Sequence, residues 1–326
     1  MPEGITSIVL PRRSAPRNNS ALFSHRFRGS ETTPCYGVRA APFARLHARL
    51  NVERARFAGR RALVTGASRG IGAATAQRLA AEGADVAISA RTLEHHPTLA
   101  GSLRETADRL SAFGGRVVPI VADLADADAR AAIVPQAVKG LGGPLDILVN
   151  NAAAAIYQPL VDFPLRRRRL TFEVNVHAPF DLAQAVLPAM LQAGEGWIVN
   201  VSSATARSWD PPFVLGPLGS STGVYGASKA ALNRLTNALA AELAGKGVRV
   251  NTIEPRAAVM SEGAEVLLGT QLAADQVESI EEMVEAILAL CDCAQERTGG
   301  RLVSLDLLDE LGLTARSLNG APQGAK

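Results

Sequence analysis

Short apolar runs alternate with stretches in which apolar residues recur every three or four positions along most of the chain. A short apolar run predicts a buried strand, and the longer period predicts an amphipathic helix. The predicted strands are residues 61–64, 84–90, 116–121, 145–153, 197–201, 248–255 and 301–308. The predicted helices are residues 71–81, 102–113, 127–138, 166–192, a stretch opening at Tyr225, and 280–290. This alternation favours a single α/β domain with a doubly wound parallel sheet of about seven strands.

The two ends of the chain lack this alternation. Residues 1–58 show neither period, so we expect a disordered N-terminal extension, followed by the domain at residues 59–312. The alternative for residues 44–58, which include Phe57, is a short helix at the edge of the domain. Residues 313–326 are expected to form a C-terminal tail that is frayed from residue 320 onwards. An Arg- and Ser-rich, acid-poor extension is typical of an organelle transit peptide. Translation from an upstream start codon would give the same composition, and we favour this second explanation.

Composition narrows the choice of partners. Eleven of the 34 basic residues but only three of the 31 acidic residues lie in residues 1–60, so the rest of the chain is acidic and we expect no nucleic-acid partner. The chain has no run of about 18 apolar residues, which predicts no membrane span. Cys35, Cys291 and Cys293 match neither a disulfide framework nor a zinc pattern. The sequence therefore predicts no metal site and a cytoplasmic location.

A glycine-rich turn follows the first predicted strand and precedes the first predicted helix. Glycines let backbone N–H groups approach a pyrophosphate closely, and the helix N-terminus adds partial positive charge. The turn therefore predicts phosphate binding, although an ordinary tight turn would leave the same spacing. The candidate cofactor-binding residues of the turn are Thr65, Gly66, Ser68, Arg69, Gly70, Ile71 and Gly72.

The second predicted strand ends at Arg91. In a fold of this kind the residue at that position faces the adenosine ribose, where an acidic residue suits a 2′-hydroxyl and a guanidinium suits a 2′-phosphate. Together with Arg69 in the turn, Arg91 predicts NADP(H) rather than NAD(H) as the cofactor. The alternative is that both are solvated arginines of an Arg-rich chain.

Tyr225 and Lys229 are four residues apart and lie on one face of the predicted helix. A cation beside a phenol lowers the phenol pKa from its ordinary value of about 10. We therefore expect Tyr225 to act as an acid/base near neutral pH. The pattern Tyr-x-x-x-Lys is common by chance, so its weight depends on the motifs that accompany it.

The motifs together resemble the short-chain dehydrogenase/reductase family over about residues 58–306. They are the glycine turn, Asn150-Asn151-Ala152, Asn175-Val176, Ser202-Ser203 and Tyr225-x-x-x-Lys229, in that order. The resemblance implies a Rossmann-like fold and a catalytic tetrad of Asn175, Ser203, Tyr225 and Lys229, in which Ser203 is chosen because the family's serine is the second of the pair. It also implies a set of cofactor contacts at Asp123, Leu124, Asn151, Ala152, Tyr225, Lys229 and Pro255.

Two positions depart from the family's pattern. Ala153 stands where the family has glycine, which would crowd backbone near the cofactor. Arg256 replaces the glycine that normally follows Pro255, so the reactive end of the cofactor could sit differently or Arg256 could line the substrate entrance. The Pro- and Gly-rich residues 205–224 predict an irregular loop that walls the pocket, and residues 257–276 predict a mobile lid.

Two further groups of neighbouring ionisable residues lie outside these motifs. Arg166 to Arg169 stand at the start of the long predicted helix, where positive charge opposes the helix dipole. We expect a solvated, salt-paired face; the alternative is a docking patch for a phosphorylated or acidic acyl carrier. His95 and His96 have no third ligand in view, so we expect surface residues rather than a metal site.

These observations predict an enzyme that interconverts a small-molecule carbonyl, of ketone or 3-oxoacyl type, and a secondary alcohol with NADP(H). The alternative is an NADP-binding sensor or scaffold without turnover. The resemblance further implies a homo-dimer or homo-tetramer, formed through the helix at residues 166–192 and the helix that opens at Tyr225.

Overall fold

The strands of this computed structural model lie where short apolar runs occur in the sequence. They are β1 (Arg61–Thr65), β2 (Asp85–Ala90), β3 (Val117–Val121), β4 (Ile147–Asn150), β5 (Gly196–Val201), β6 (Val248–Glu254), β7 (Ala258–Val259), β8 (Val277–Glu278) and β9 (Arg301–Val303). The structure describes residues 55–94, 100–213, 215, 218–256, 258–259 and 277–322, which all belong to one compact unit. Within these ranges, seven parallel strands form the main sheet in the order β3-β2-β1-β4-β5-β6-β9, while β7 pairs with β8. The predicted doubly wound parallel sheet is confirmed.

Helices cover both faces of the sheet. They are α1 (Gly70–Ala81), α2 (Leu103–Ser111), α3 (Ala127–Ala131), α4 (Ile133–Leu141), α5 (Leu165–Phe172), α6 (Ala178–Ala193), α7 (Gly223–Glu242), α8 (Ile280–Leu290) and α9 (Ser304–Leu311). Apolar residues of α1, α2, α8 and α9 fill one core, and those of α4, α6 and α7 fill the other. Ile147 and Leu148 of β4 join different cores, because successive side chains of a strand point to opposite faces.

The order of the strands reverses between β1 and β4, since β1 pairs with β2 on one side and with β4 on the other. In an open parallel sheet such a reversal opens a crevice at the carboxyl ends of the strands. Thr65, Asn150, Val201 and Glu254 are the last residues of four of these strands. The crevice therefore gathers the segments that carry most of the predicted site residues.

Two predicted elements differ from the structure. The predicted helix at residues 127–138 is broken at Ala132, because Pro135 has no N–H and its ring would clash with the carbonyl of the residue four positions earlier. The predicted strand at residues 301–308 ends at Val303 and continues as α9. Leu307 and Leu308 of α9 are buried, so the apolar spacing there belongs to a helix.

Both ends of the predicted domain extend further than expected. Phe57, which the sequence placed in the disordered extension, is 1% exposed, and its N–H donates to the Glu82 carbonyl. At the other end, Asn319 accepts a hydrogen bond from Gln77, and Leu318 packs against the core. The tail was predicted from its small and polar residues, which gave no sign of these contacts.

Several predictions fall outside the described residues. They are the disordered extension up to residue 54, the surface position of His95 and His96, most of the lid at residues 257–276, and the last four residues of the tail. Strands β7 and β8, which flank residues 260–276 in the sequence, pair with each other. Among the helices in the described ranges, none is long and apolar enough to cross a membrane.

The four consecutive arginines lie in the first turns of α5, and all four are exposed. Arg167 donates to Gln158 Oε1 at 3.0 Å. None of the four forms an ion pair with another described residue. The cluster is thus solvated, as predicted, but within the described part of the chain it is not salt-paired.

Candidate active site

The glycine turn between β1 and α1 packs directly against the end of β4. Gly66 has a φ of +65°, and a Cβ added there would lie 2.7 Å from the Ala152 Cα. A Cβ at Gly72 would collide with the Asn151 side-chain amide and with the Gly66 carbonyl. Neither position can hold a side chain without displacing backbone, which explains the glycines.

Thr65 and Asn151 hold this turn to the end of β4. Thr65 Oγ1 accepts hydrogen bonds from the N–H groups of Asn151 at 3.1 Å and Ala152 at 3.2 Å. In return, Asn151 Nδ2 donates to the carbonyls of Thr65 at 3.0 Å and Gly66 at 3.2 Å. Helix α1 begins at Gly70, and no side chain caps its first N–H groups. These N–H groups can therefore receive an anion such as a pyrophosphate.

The two arginines predicted to select the cofactor have different surroundings. The Arg69 guanidinium donates to the carbonyls of Ala100 at 2.7 Å and Gly101 at 3.0 Å, so it fixes the turn to the loop before α2. Arg91 lies just after β2 with an exposed side chain. Arg91 is the better placed of the two to meet a 2′-phosphate.

Asp123 and Leu124, two of the predicted cofactor contacts, follow β3. Asp123 is exposed, and its Oδ1 accepts from the Ala125 N–H at 3.0 Å. The Leu124 carbonyl accepts from Arg130 at 2.6 Å, and the Leu124 side chain is buried. Both residues border the same edge of the sheet as Arg91, because β2 and β3 are paired and parallel.

Tyr225 lies in the first turn of α7 and is buried. Its ring meets that of Tyr157 edge-on, with 5.6 Å between the centroids. Burial raises the pKa of the Tyr225 phenol above its ordinary value, the neighbouring Tyr157 adds to the rise, and a side-chain hydrogen bond with Ser203 lowers it. The phenol is therefore protonated at neutral pH.

Lys229 lies one turn after Tyr225 and is 2% exposed. Its ammonium donates to the Val201 carbonyl at 2.7 Å and lies 5.9 Å from the centroid of the Tyr225 ring. Burial lowers the pKa of Lys229 to about 8. The expectation that Lys229 lowers the phenol pKa is not met in this structure, because the ammonium is directed at the end of β5 and burial dominates the surroundings of the phenol.

Ser203 and Ser202 are distinguished by their partners. Ser202 is buried and donates to Asn233 at 2.6 Å, away from Tyr225. Ser203 is part-buried, lies close enough to the Tyr225 phenol to lower the phenol pKa, and lies 2.9 Å from the Thr205 hydroxyl. Of the two serines, it is Ser203 that the structure brings together with Tyr225.

Asn175 occupies a single π-helical turn, Glu173–His177, between α5 and α6. Such turns interrupt helices most often at functional sites. Asn175 is fully buried, and its Oδ1 accepts from the Ala154 N–H at 2.7 Å. Its Nδ2 donates to Ser228 Oγ at 3.0 Å, and Ser228 donates to the Tyr225 carbonyl at 2.6 Å. Asn175 thus reaches Tyr225 through the backbone of α7.

Sequence reasoning missed Ser228. It is fully buried and joins Asn175 to Tyr225, although it lies between Tyr225 and Lys229 in the sequence. Its spacing of three from Tyr225 places it on the same side of the helix, which is the signal that could have identified it. The ring of Tyr157 also contacts that of Tyr225.

Pro255 follows β6, and next to it stands Arg256, which replaces the glycine of the family pattern. The Arg256 side chain forms ion pairs with Asp306 at 2.6 Å and Asp309 at 3.2 Å on α9. Two acidic residues far along the chain thus hold the Arg256 side chain against α9. Its backbone N–H donates to Glu278 at 3.0 Å, and Glu278 also accepts from Ser304 at 2.7 Å.

Comparison with known proteins identifies the family to which this arrangement belongs. Residues 60–261 match the family model described as short chain dehydrogenase. The chain belongs to the short-chain dehydrogenase/reductase family. The resemblance predicted from its motifs is therefore confirmed.

Relatives in this family extend beyond the matched region. Hydroxysteroid dehydrogenase-like protein 2 from Homo sapiens is 30% identical over 259 residues, which cover 79% of this chain and 59% of that protein. A short chain dehydrogenase from Pseudocercospora fijiensis is 40% identical over 199 residues, or 60% of this chain and 59% of that protein. The chain thus spans 59% of the length of these curated relatives.

Solved structures of the short-chain dehydrogenase/reductase family show the same fold. A short chain dehydrogenase from Mycobacterium thermoresistibile is 30% identical, with a TM-score of 0.68 over 83% of this chain and 96% of that one. A short chain dehydrogenase from Burkholderia cenocepacia in complex with NADP is 32% identical, with a TM-score of 0.64 over 76% of this chain and 97% of that one.

Proposed function

We propose that this protein is an NADP(H)-dependent reductase that interconverts a small-molecule carbonyl and a secondary alcohol. The observation that carries the proposal is the grouping of three side chains: the Tyr225 phenol, the Ser203 hydroxyl that lowers the phenol pKa, and the Lys229 ammonium 5.9 Å from the centroid of the Tyr225 ring. A protonated phenol next to a hydroxyl donor is suited to protonate a carbonyl oxygen as it gains negative charge.

The residues around the glycine turn fit a dinucleotide. The uncapped N–H groups of α1 would hold the pyrophosphate, and Gly66 and Gly72 leave no side chain between it and the backbone. The exposed Arg91 would meet a 2′-phosphate. When bound, the nicotinamide supplies the hydride that the reaction requires.

Each of the other side chains of the site has a separate role in the reaction. Ser203 donates a hydrogen bond to the carbonyl oxygen and polarises it, and Tyr225 gives its proton to the same oxygen. Lys229 fixes α7 to the end of β5 through the Val201 carbonyl and, by resemblance, contacts the cofactor. Asn175 fixes the start of α7 through Ser228, so that Tyr225 is held against Ser203.

A second candidate function is cofactor binding without turnover. It is favoured by one observation, the engagement of the Arg256 N–H by the Glu278 carboxylate directly after Pro255. By resemblance, backbone at this position would hold the nicotinamide carboxamide. A sensor or scaffold could tolerate a displaced nicotinamide, whereas a reductase could not.

We also propose that the protein forms a homo-dimer or homo-tetramer through α6 and α7. Phe180 and Leu235 lie on these helices with 37% of each side chain exposed, and both line a shallow depression between them together with Leu239. Apolar exposure on adjacent helices is typical of an interface. Light scattering measures the assembly state directly.

The cytoplasmic location stays a prediction from the cysteine pattern.

The experiment that tests the proposed function is a panel of carbonyl compounds assayed by loss of NADPH absorbance. The panel should contain steroid ketones, 3-oxoacyl thioesters, polyketide-like diketones and simple ketones, because the motifs do not distinguish among these carbonyl classes. Reduction of at least one compound, abolished by heat denaturation of the protein, supports the reductase. Tight NADPH binding without reduction of any compound favours the binding module instead.

A further inference from the structure

A buried carboxylate with no assigned role lies at the carboxyl end of β6. Glu254 is fully buried, on the strand that pairs with β5 and immediately before Pro255. Its Oε1 accepts a hydrogen bond from Arg207 Nε at 2.8 Å. Its Oε2 has no hydrogen-bond partner in the described structure and lies 3.9 Å from Arg301 Nε. Arg207 is therefore the main group that neutralises a charge held away from water.

Arg207 ends the turn that begins at the proposed hydrogen-bond donor of the site. The residues after Ser203 form a single 3-10 turn, Ala204–Ala206, which is closed by bonds from Ala206 N to the Ser203 carbonyl at 2.9 Å and from Arg207 N to the Ala204 carbonyl at 3.2 Å. Ser203 Oγ accepts from the Thr205 N–H at 3.2 Å. One end of the turn is held by Ser203 and the other by the Arg207–Glu254 pair.

The same turn packs against the helix that carries Tyr225. A Cβ added at Gly226 would collide with the Thr205 carbonyl, so α7 and the turn are in direct backbone contact. A displacement of the turn would therefore move Ser203 relative to Tyr225. Small displacements of this kind matter, because a reacting group misplaced by about 1 Å can slow a reaction about 100-fold.

We propose that Glu254 and Arg207 are positioning residues that hold the turn carrying Ser203 against the start of α7, and so keep the Ser203 hydroxyl next to Tyr225. The inference rests on the proposed function, since it assigns the pair a part in carbonyl reduction. The burial of Glu254 gives the pair its strength: an exposed ion pair contributes little, whereas removal of the partner of a buried carboxylate leaves a charge that the structure must rearrange to solvate. The segment free to rearrange is the turn from Ser203 to Arg207.

The test introduces Arg207→Met into two proteins, the parent and the Ser203→Ala variant, and compares its effect in each. The substitution removes the charge of Arg207 but keeps a long side chain. If Arg207 acts through Ser203, Arg207→Met lowers kcat about tenfold or more in the parent and less than about twofold in Ser203→Ala, because residues that act as a unit are not additive. NADPH affinity stays unchanged. A merely structural pair would lower kcat by the same factor in both backgrounds, which would overturn the proposal.

Hydrogen–deuterium exchange without cofactor gives a second readout that does not depend on activity. Arg207→Met should accelerate exchange at the N–H groups of Thr205, Ala206 and Arg207, and Arg207→Met combined with Glu254→Gln should restore part of the protection, since no uncompensated charge is then buried. The matched control is Arg297→Met, which breaks an ion pair with Glu310 outside this turn and should leave exchange there unchanged.

The two measurements distinguish a failure of the positioning role from a failure of the proposed function. Unchanged exchange at residues 205–207 in Arg207→Met overturns the positioning role whatever the activity. If Ser203→Ala reduces carbonyls as fast as the parent, the proposed function of Ser203 fails, and with it the assignment of the pair to catalysis. Accelerated exchange together with a non-additive loss of kcat supports the proposal.

Discussion

Asn175 donates a hydrogen bond to Ser228 at 3.0 Å and thereby joins the π-helical turn before α6 to the first turn of α7. Ser228 passes the contact to the Tyr225 carbonyl at 2.6 Å. The asparagine therefore orients Tyr225 through the backbone that carries it. Its Oδ1 meanwhile fixes the Ala154 N–H, close to Tyr157 in the chain.

Replacement of Asn175 by alanine should harm both folding and activity. The Ala154 N–H would lose its partner, at a cost of about 1–3 kcal/mol for a buried group, and Tyr225 would lose its support. We expect a lower melting temperature and at least a tenfold lower kcat, on the order of one mispositioned catalytic group. Asn237→Ala is the control, because it removes an exposed amide on α7 that donates to the Gly299 carbonyl. Equal kcat values for the two variants would show that Asn175 serves stability alone.

Gly66 and Gly59 offer a matched pair for the cofactor turn. Both have positive φ, +65° and +81°, but only at Gly66 would a Cβ meet other backbone. Gly59→Ala should cost about 1–2 kcal/mol for the left-handed conformation and leave NADPH affinity unchanged. Gly66→Ala should cost more and abolish NADPH binding, measured by fluorescence titration and urea unfolding. Normal NADPH affinity in Gly66→Ala would argue against this turn as the pyrophosphate site.

Arg91 should determine the preference for NADPH over NADH. Its side chain is exposed at the end of β2, whereas the Arg69 guanidinium is occupied by two backbone carbonyls. Arg91→Asp should weaken NADPH binding and reduce or invert the ratio of the NADPH affinity to the NADH affinity. Arg109→Asp, an exposed arginine on α2, is the control for the change in net charge. Equal affinities of the parent protein for the two cofactors would contradict the assignment.

The pKa of Lys229 predicts how stability and rate depend on pH. Burial lowers it from 10.5 to about 8, so between these values the unfolded chain binds a proton that the folded protein does not. The free energy of unfolding should therefore rise with pH in this window relative to that of Lys229→Met. Carbonyl reduction should fall above pH 8 as the ammonium is lost. Parallel urea-unfolding profiles for parent and variant across this window would contradict the lowered pKa.

The fold was largely predictable because its strands are short, apolar and separated by helices of clear period. The sequence prediction failed where a local pattern was ambiguous. Residues 304–308 fit both periods until the helix could be seen to bury Leu307 and Leu308. Pro135 breaks the predicted helix, a consequence that its position already implied.

The candidate site was predictable where its residues form contiguous motifs and not where its contacts span the chain. Arg256 could not be assigned to α9 from sequence, because Asp306 and Asp309 lie about fifty residues away. Ser228 was not identified from the sequence because it lies inside the Tyr225-x-x-x-Lys229 motif, where attention falls on the two end residues. The surroundings of the Tyr225 phenol depend on burial, which spacing alone does not give.

The most direct test of the proposed reductase is the steady-state rate of NADPH oxidation by Tyr225→Phe with the best carbonyl of the panel. The change removes one oxygen and keeps the ring against Tyr157, so melting temperature and NADPH affinity should hold, as they should in the control Tyr157→Phe. Loss of a general acid predicts a fall in kcat of about 10²- to 10⁴-fold for Tyr225→Phe. A Tyr225→Phe variant that keeps most of the parent's rate would contradict the account.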